Sequence, residues 1–504
     1  MSTDELWMAD VLQLQELLAK RETSSLEAVQ TLLNRIRDLD HDGPRLGSVL
    51  EVSEESLEAA RQLDHERTRS PRGPLHGIPV LIKDNIETSG NMETTAGSLA
   101  LLGVRVPGDA FIVDRLRGAG AVVLGKNNLS EWANFRSTHS SSGWSARGGQ
   151  TKNPHALDRS PCGSSSGSAA SVAAGLAPLA IGTETDGSIL CPAAMNGVVG
   201  IKPTVGLTSR SGVIPVSNSQ DTVGPFARTV AGAAIALSVI AGRDSEDSLT
   251  QRIPRSANLN YTPFLREDGL QGARIGVARD VYFGYSPKAD AVVESAIQAL
   301  REGGATIIDP ADIPTAKQMR DGDEEMKVLL YEFKHGLEQY FQRRSPGGPR
   351  NLADIVSFNE MNRDREMPFF GQEIFLQALE KGDLSEPEYV GARSTAIKLA
   401  RDQGIDAVMD AHNLDALVMP TTGPAFPIDL LNGDHFTGGS PQPAALAGYP
   451  AISVPAGDAF GLPVGITFMG RAFSEATLIR LAYAYEQATN AVRWPSFQPT
   501  VGWG

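Results

Sequence analysis

Hydrophobic residues in the first ~70 positions fall at helical intervals. Leu26, Val29, Leu32, Leu33 and Ile36 recur every three or four residues, behind a Ser24–Glu27 pair with capping-box spacing. The stretch Leu6–Leu18, interrupted by Asp10, Gln13, Gln15 and Glu16, reads as one amphipathic helix. From Gly77 the pattern changes to short apolar runs bounded by Gly and Pro: Ile78–Ile82, Ala121–Leu124 and Leu179–Ile181. Helical stretches such as Phe111–Arg117 lie between them. Short buried strands alternating with helices predict an α/β fold with a largely buried sheet. The theme returns with strand Arg274–Ala278, helix Ala289–Arg301 and strand Thr306–Ile308. Residues 312–412 are charged, helical and poor in Gly, as expected of a helical cap or insertion. Strands follow at Ala416–Met419, Ala451–Val454 and Val464–Met469, before a helix from Ser474. One body over residues 1–504 is expected, with residues 1–70 forming an N-terminal helical region.

Composition narrows the functions open to this chain. With 45 Lys+Arg against 60 Asp+Glu, the net charge of −15 opposes general nucleic-acid binding. No run of about 18 apolar residues occurs, so no membrane-spanning helix is expected. Residues 1–10 lack the features of a secretory signal. A cytoplasmic protein is therefore expected, with an exported form whose leader has been removed left open. Cys162 and Cys191 are too few for a disulfide framework or a structural zinc site. No metal and no organic cofactor is expected. The acidic stretch Asp321–Glu325 lacks calcium-loop spacing and reads as a solvated helix start.

Glycine and serine concentrate between Ser160 and Gly212, in Cys162-Gly-Ser-Ser-Ser-Gly-Ser168 and Gly182-Thr-Glu-Thr-Asp-Gly-Ser188. The first alone reads as a flexible loop, and the Gly-Lys-Ser/Thr of a phosphate loop is missing. The second follows an apolar strand and puts Ser188 on a tight turn where backbone N–H groups can converge. That arrangement suits a serine nucleophile, because charge developing on a carbonyl oxygen is met by preorganised donors. By itself it reads as a strand–turn junction. A serine needs a base, and none of the eight histidines sits in a base motif. Lys83, at the end of the apolar strand, is the other option, because burial can strip its proton.

Taken together these pieces are far more specific. Gly77-Ile-Pro-Val-Leu-Ile-Lys83, the Ser-rich loop some 80 residues on and Thr185-Asp-Gly-Ser188 resemble the amidase signature family. Gly125-Lys-Asn-Asn128, Gly197-Val-Val-Gly-Ile-Lys-Pro203, Pro420, Tyr449–Ala456 and Gly461–Gly465 extend the resemblance over nearly the whole chain. It implies a large mixed central β-sheet covered by helices on both faces. It also implies a triad with Ser188 as nucleophile, Ser164 as a bridging serine on a cis peptide bond, and Lys83 as base. The backbone of Thr185, Asp186, Gly187 and Ser188 would form the oxyanion hole, with Ser165 and Asp221 in support, Ser165 bonding within the relay. Cys162 and Cys191 would then serve small-residue packing, since the family uses no thiol there.

Asp186 stands where Gly is usual, and Leu190 where many members carry Arg, which bears on substrate choice. Trp144–Gln150, Thr183–Ser188 and Gln220–Thr222 point to the branch that removes the C-terminal amide of peptides. Expected is an amide hydrolase working through an acyl-enzyme on small or peptide amides, with no nucleic-acid or membrane partner, as a monomer or homodimer. Aryl acylamidase or carbamate hydrolysis, and an amidotransferase subunit, are the alternatives.

Overall fold

The computed structural model describes residues 3–344 and 347–502. In chain order the strands are β1 (Val49–Val52), β2 (Pro79–Lys83), β3 (Val122–Asn127), β4 (Trp144–Ser145), β5 (Gly149–Gln150) and β6 (Leu179–Glu184). They continue as β7 (Val199–Lys202), β8 (Thr222–Ala227), β9 (Arg274–Val277), β10 (Thr306–Ile308), β11 (Ala416–Pro420), β12 (Ala451–Ala459) and β13 (Leu462–Met469). All but the β4–β5 hairpin join one eleven-stranded sheet, ordered β1-β3-β2-β6-β8-β7-β12-β13-β11-β9-β10. The trio β3–β2–β6 and the trio β11–β9–β10 are parallel, and the pairs between them are antiparallel. Helices make the parallel crossovers: Phe111–Gly118 between β2 and β3, Ser166–Ala173 between β3 and β6, Pro287–Glu302 between β9 and β10.

Strands β2, β3, β6, β8, β11 and β13 are buried along their whole length, which is why they read as continuous apolar runs. Side chains still alternate between the two faces of the sheet. On β2, Val80 and Ile82 enter the core formed with helix Val230–Ile240, while Leu81 enters the core formed with helix Ser166–Ala173. Helices therefore cover both faces. The same alternation carries Lys83 to the Leu81 side, toward the start of helix Ser166–Ala173.

The helical stretch at 312–412 comprises Ala316–Asp321, Glu324–Arg343, Leu352–Met361, Arg363–Glu366, Glu373–Leu379, Pro387–Ala400 and Asp406–His412. A buried guanidinium joins it to the sheet body: Arg136 lies 2.9 Å from Glu131 and 3.8 Å from Glu366. Trp132 packs edge-on against Phe333 and Phe375 beside it.

Local patterns misled at two places. The expected single helix Leu6–Leu18 is a 3₁₀ turn, Thr3–Met8, followed by helix Val11–Lys20. Asp10, read as a polar interruption, is the N-cap; its carboxylate accepts the Gln13 N–H at 2.8 Å and the Gln13 amide reciprocates. The N-terminal region also contains strand β1, which pairs antiparallel with β3 at the sheet edge. Four residues, only one of them buried, carry too little periodicity to stand out.

Candidate active site

Parallel strands β2 and β6 end side by side, with Ile82 in register with Ile181. Lys83 closes β2 with no solvent exposure. Its Nζ donates to Ser164 Oγ at 2.8 Å and to Thr183 Oγ1 at 2.8 Å, with the Thr183 carbonyl at 3.3 Å. Burial drives the Lys83 pKa down to about 7, against the pull of the Asp221 and Glu184 charges, which favour the ammonium. The lysine is thus poised between neutral amine and ammonium near neutrality. Asn85 Nδ2 also bonds Thr183 Oγ1, at 3.0 Å, fixing that hydroxyl from the other side.

Ser164 follows a cis peptide bond from Gly163 and is fully buried. Its carbonyl accepts the Ser130 N–H at 3.0 Å. Ser165 differs from expectation. Its hydroxyl donates to the Thr183 carbonyl at 2.9 Å and accepts the Thr183 N–H at 3.2 Å, rather than bonding Lys83 or either other serine. It pins the helix start to β6, and Gly182 makes room, since a Cβ there would sit 2.6 Å from Ser165 Oγ. The Ser165 N–H donates to the Ser188 carbonyl at 3.2 Å, which brings the turn after β6 against the Ser164–Ser165 step.

That turn is built by β6 and the helix behind it, Leu190–Asn196. Gly187 takes φ of +77°, a conformation that side-chain-bearing residues rarely adopt. Two buried carboxylates hold the turn. Glu184 accepts the N–H groups of Ile189 at 2.6 Å and Leu190 at 2.9 Å. Asp221 accepts the Thr185 hydroxyl at 2.6 Å while its other oxygen takes the N–H groups of Val216 and Ser217. Burial raises the Asp221 pKa to about 6, opposed by the Thr185 hydroxyl and those N–H donors. Leu190 is buried in an apolar cluster with Tyr282 and Ala444.

Ser188, 6% exposed, lies in a cleft of about 300 Å³ whose lining includes Gly163, Asp186, Gly187, Asp434, Phe436 and Gln442. Asp186 is exposed there. The structure thus gathers Lys83, Ser164, Ser165, Thr185–Ser188 and Asp221 into one neighbourhood. Thr183, Asn85 and Glu184 escaped the sequence reading. A carboxylate four residues before Ser188, at a strand end, was the one signal available for Glu184.

Two expectations need correction. Cys162 and Cys191 are not separate packing residues: they form a disulfide, with Cα atoms 6.0 Å apart, in the wall of the cleft. The turn folds back so that the second residue of helix Leu190–Asn196 meets the residue before Gly163, a closure that a separation of 29 residues does not reveal. Denatured, unreduced protein is expected to show no free thiol in a colorimetric titration. Cys191→Ser is expected to cost up to about 3–4 kcal/mol of unfolding free energy, the chain-entropy value for a loop of this length, measurable by denaturant titration.

The acidic stretch Asp321–Glu325 does open a helix, with Asp321 and Asp323 exposed in ion pairs to Arg320 and Lys327. Glu325 instead turns inward. It accepts the Gln220 and Gln442 amides at 2.9 Å each, because the helix start packs on the cleft wall.

The site thus sets a serine on a strand-end turn beside a buried lysine whose amine bonds a second serine hydroxyl. Residues 27–479 match the model of the Amidase family, and the chain belongs to that family, the amidase signature hydrolases. It is 52% identical to the peptide amidase of Stenotrophomonas maltophilia, with a TM-score of 0.93 over 97% of this chain and 98% of that one. It is 41% identical to a probable amidase of Arabidopsis thaliana over 98% of this chain and 93% of the relative. A glutamyl-tRNA(Gln) amidotransferase subunit from Caldanaerobacter subterraneus is 36% identical over 96% and 97% of the two chains. Among the described residues, no helix is long and apolar enough to cross a membrane.

Proposed function

We propose that the chain hydrolyses C-terminal peptide amides and related carboxamides through an acyl-enzyme on Ser188. The observation that carries this reading is the buried Lys83 amine 2.8 Å from Ser164 Oγ, beside the turn that bears Ser188. Neutral Lys83 draws a proton through Ser164 as Ser188 Oγ attacks the amide carbonyl. Backbone N–H groups of Thr185, Asp186, Gly187 and Ser188 receive the oxyanion, an interaction worth roughly 3–4 kcal/mol for a key donor. Asp221 and Glu184 act behind that turn as positioning residues. The relay then returns the proton to the leaving nitrogen, ammonia departs, and water, activated by the same base, releases the acid.

The peptide-amide preference rests on the likeness to the Stenotrophomonas enzyme and on a cleft whose lining includes the exposed side chain of Phe436. It is tested with a peptide amide, an anilide, a carbamate and a simple aliphatic amide, following both ammonia and amine release. The peptide amide is expected to give the highest kcat/KM, with stoichiometric ammonia. A strong preference for the anilide would overturn the assignment. Amidotransferase subunits among the relatives favour a second reading, work within a complex on a tRNA-bound substrate. Full activity of the isolated chain on gel filtration would rule it out.

A further inference from the structure

The cleft over Ser188 carries charge of one sign. Asp186 and Asp434 line it, and no lysine, arginine or histidine is among the described residues that do so. The two arrive from different segments. Asp186 is exposed two residues before Ser188. Asp434 comes from the loop after β11, where its carboxylate accepts the Ser142 N–H at 3.0 and 3.1 Å and so keeps a fixed position on the wall. A third carboxylate backs them: Glu325, held by the Gln220 and Gln442 amides, with Gln442 itself on the cleft wall. The confinement of the cleft, and after it the neighbouring Glu325, push the Asp186 pKa up. Burial raises the Glu325 pKa as well, opposed by the hydrogen bonds from the Gln442 and Gln220 amides. Lys83 and Lys202 are fully buried and spend their donors on Ser164, Thr183 and the Tyr449 carbonyl.

We infer that Asp186 and Asp434 are specificity-determining residues that select substrates by charge. They favour amides whose acyl part bears a cation near the scissile carbonyl and turn away carboxylates, including the enzyme's own acid product. The inference rests on the proposed amide hydrolysis and deepens it. The reaction consumes a neutral carboxamide and water and yields a carboxylate and ammonium. Negative charge thus appears in the cleft that Asp186 and Asp434 line, and like-charge repulsion weakens retention of the acid. The same repulsion separates a peptide amide from the corresponding free peptide, which differs only in carrying that carboxylate. A basic side chain beside the amide meets the opposite sign.

The test is a matched series of N-acetylated dipeptide amides carrying arginine, norleucine or glutamate at the amidated residue. Ammonia release gives kcat/KM for the wild type, Asp186→Asn, Asp434→Asn and the double variant. Arginine is expected to exceed glutamate by about tenfold in the wild type, the scale of two partly exposed charge interactions. The ratio should shrink in each single variant and approach one in the double. Ratios are taken within each protein, so a general loss of activity cancels. Inhibition by the norleucine peptide acid should tighten in the double variant. An arginine-to-glutamate ratio that survives the double substitution would overturn the inference. If the double variant does not fold, the wild-type ratio at about 0.05 and 0.5 M salt decides, since screening must narrow a charge preference at this exposed cleft; a ratio indifferent to salt counts against it. Should no peptide amide be turned over, the same charge series built on anilides separates the two failures. The peptide-amide reading then falls, and the charge ratio still judges Asp186 and Asp434.

Discussion

Ser188→Ala is expected to lower kcat by about 10⁴- to 10⁶-fold while leaving the fold and substrate affinity near the wild type. The size follows from what is lost. Without Oγ no acyl-enzyme can form, and the rate falls to what transition-state binding alone supports, because the backbone donors of the turn remain. The fold is spared because the turn is held by groups the substitution does not touch. The Ser188 carbonyl keeps the Ser165 N–H, Glu184 keeps Ile189 and Leu190, and Asp221 keeps Thr185. Steady-state kinetics with a peptide amide, beside a thermal melt, checks both halves. Turnover above about 1% of wild type, with the melt unchanged, would remove Ser188 from the chemistry.

Lys83→Met carries the second largest expected effect, a loss of about 10²- to 10⁴-fold, the usual worth of a positioned general base. Methionine fills the buried channel without a charge, so the substitution deletes the amine rather than opening a void. The pH dependence identifies the role. A base must be neutral to accept a proton, and the Lys83 pKa stands at about 7. Accordingly kcat/KM should fall as pH drops below about 7, tenfold per pH unit well below it, and level off above. That inflection should vanish from the residual activity of the methionine variant. Asp221 favours the ammonium, so Asp221→Asn should move the inflection to lower pH. A wild-type profile flat from about pH 5 to 9 would leave Lys83 without its part as base.

Much of the architecture was legible because burial leaves a local trace. Apolar runs of strand length bounded by Gly and Pro foretold β2, β6 and β11, and Ser24 with Glu27 foretold a helix start that the structure caps in both directions. Local reading failed where a polar residue served the backbone, as Asp10 does, or where a strand was as short as β1. At the site, the family resemblance singled out Lys83, Ser164 and Ser188. Their spacing could not show that Thr183 and Asn85 complete the surroundings of the lysine amine, nor that Ser165 spends its hydroxyl on the backbone of β6.

The sequence by itself determined which segments become strands and helices, which strand ends carry a lysine or a serine, and the amidase family to which they belong. Those properties depend on residue type and on periods of two or 3.6, which survive in a linear string. Only the tertiary structure decided that Lys83 meets Ser164 across 81 residues and Thr183 across 100, that Cys162 is joined to Cys191, and that Glu325 bonds Gln442 of the cleft wall. Each depends on the order in which strands are laid into the sheet and on where a helix start comes to rest. A local pattern encodes which face of a segment is buried, and strand order decides what that face is buried against.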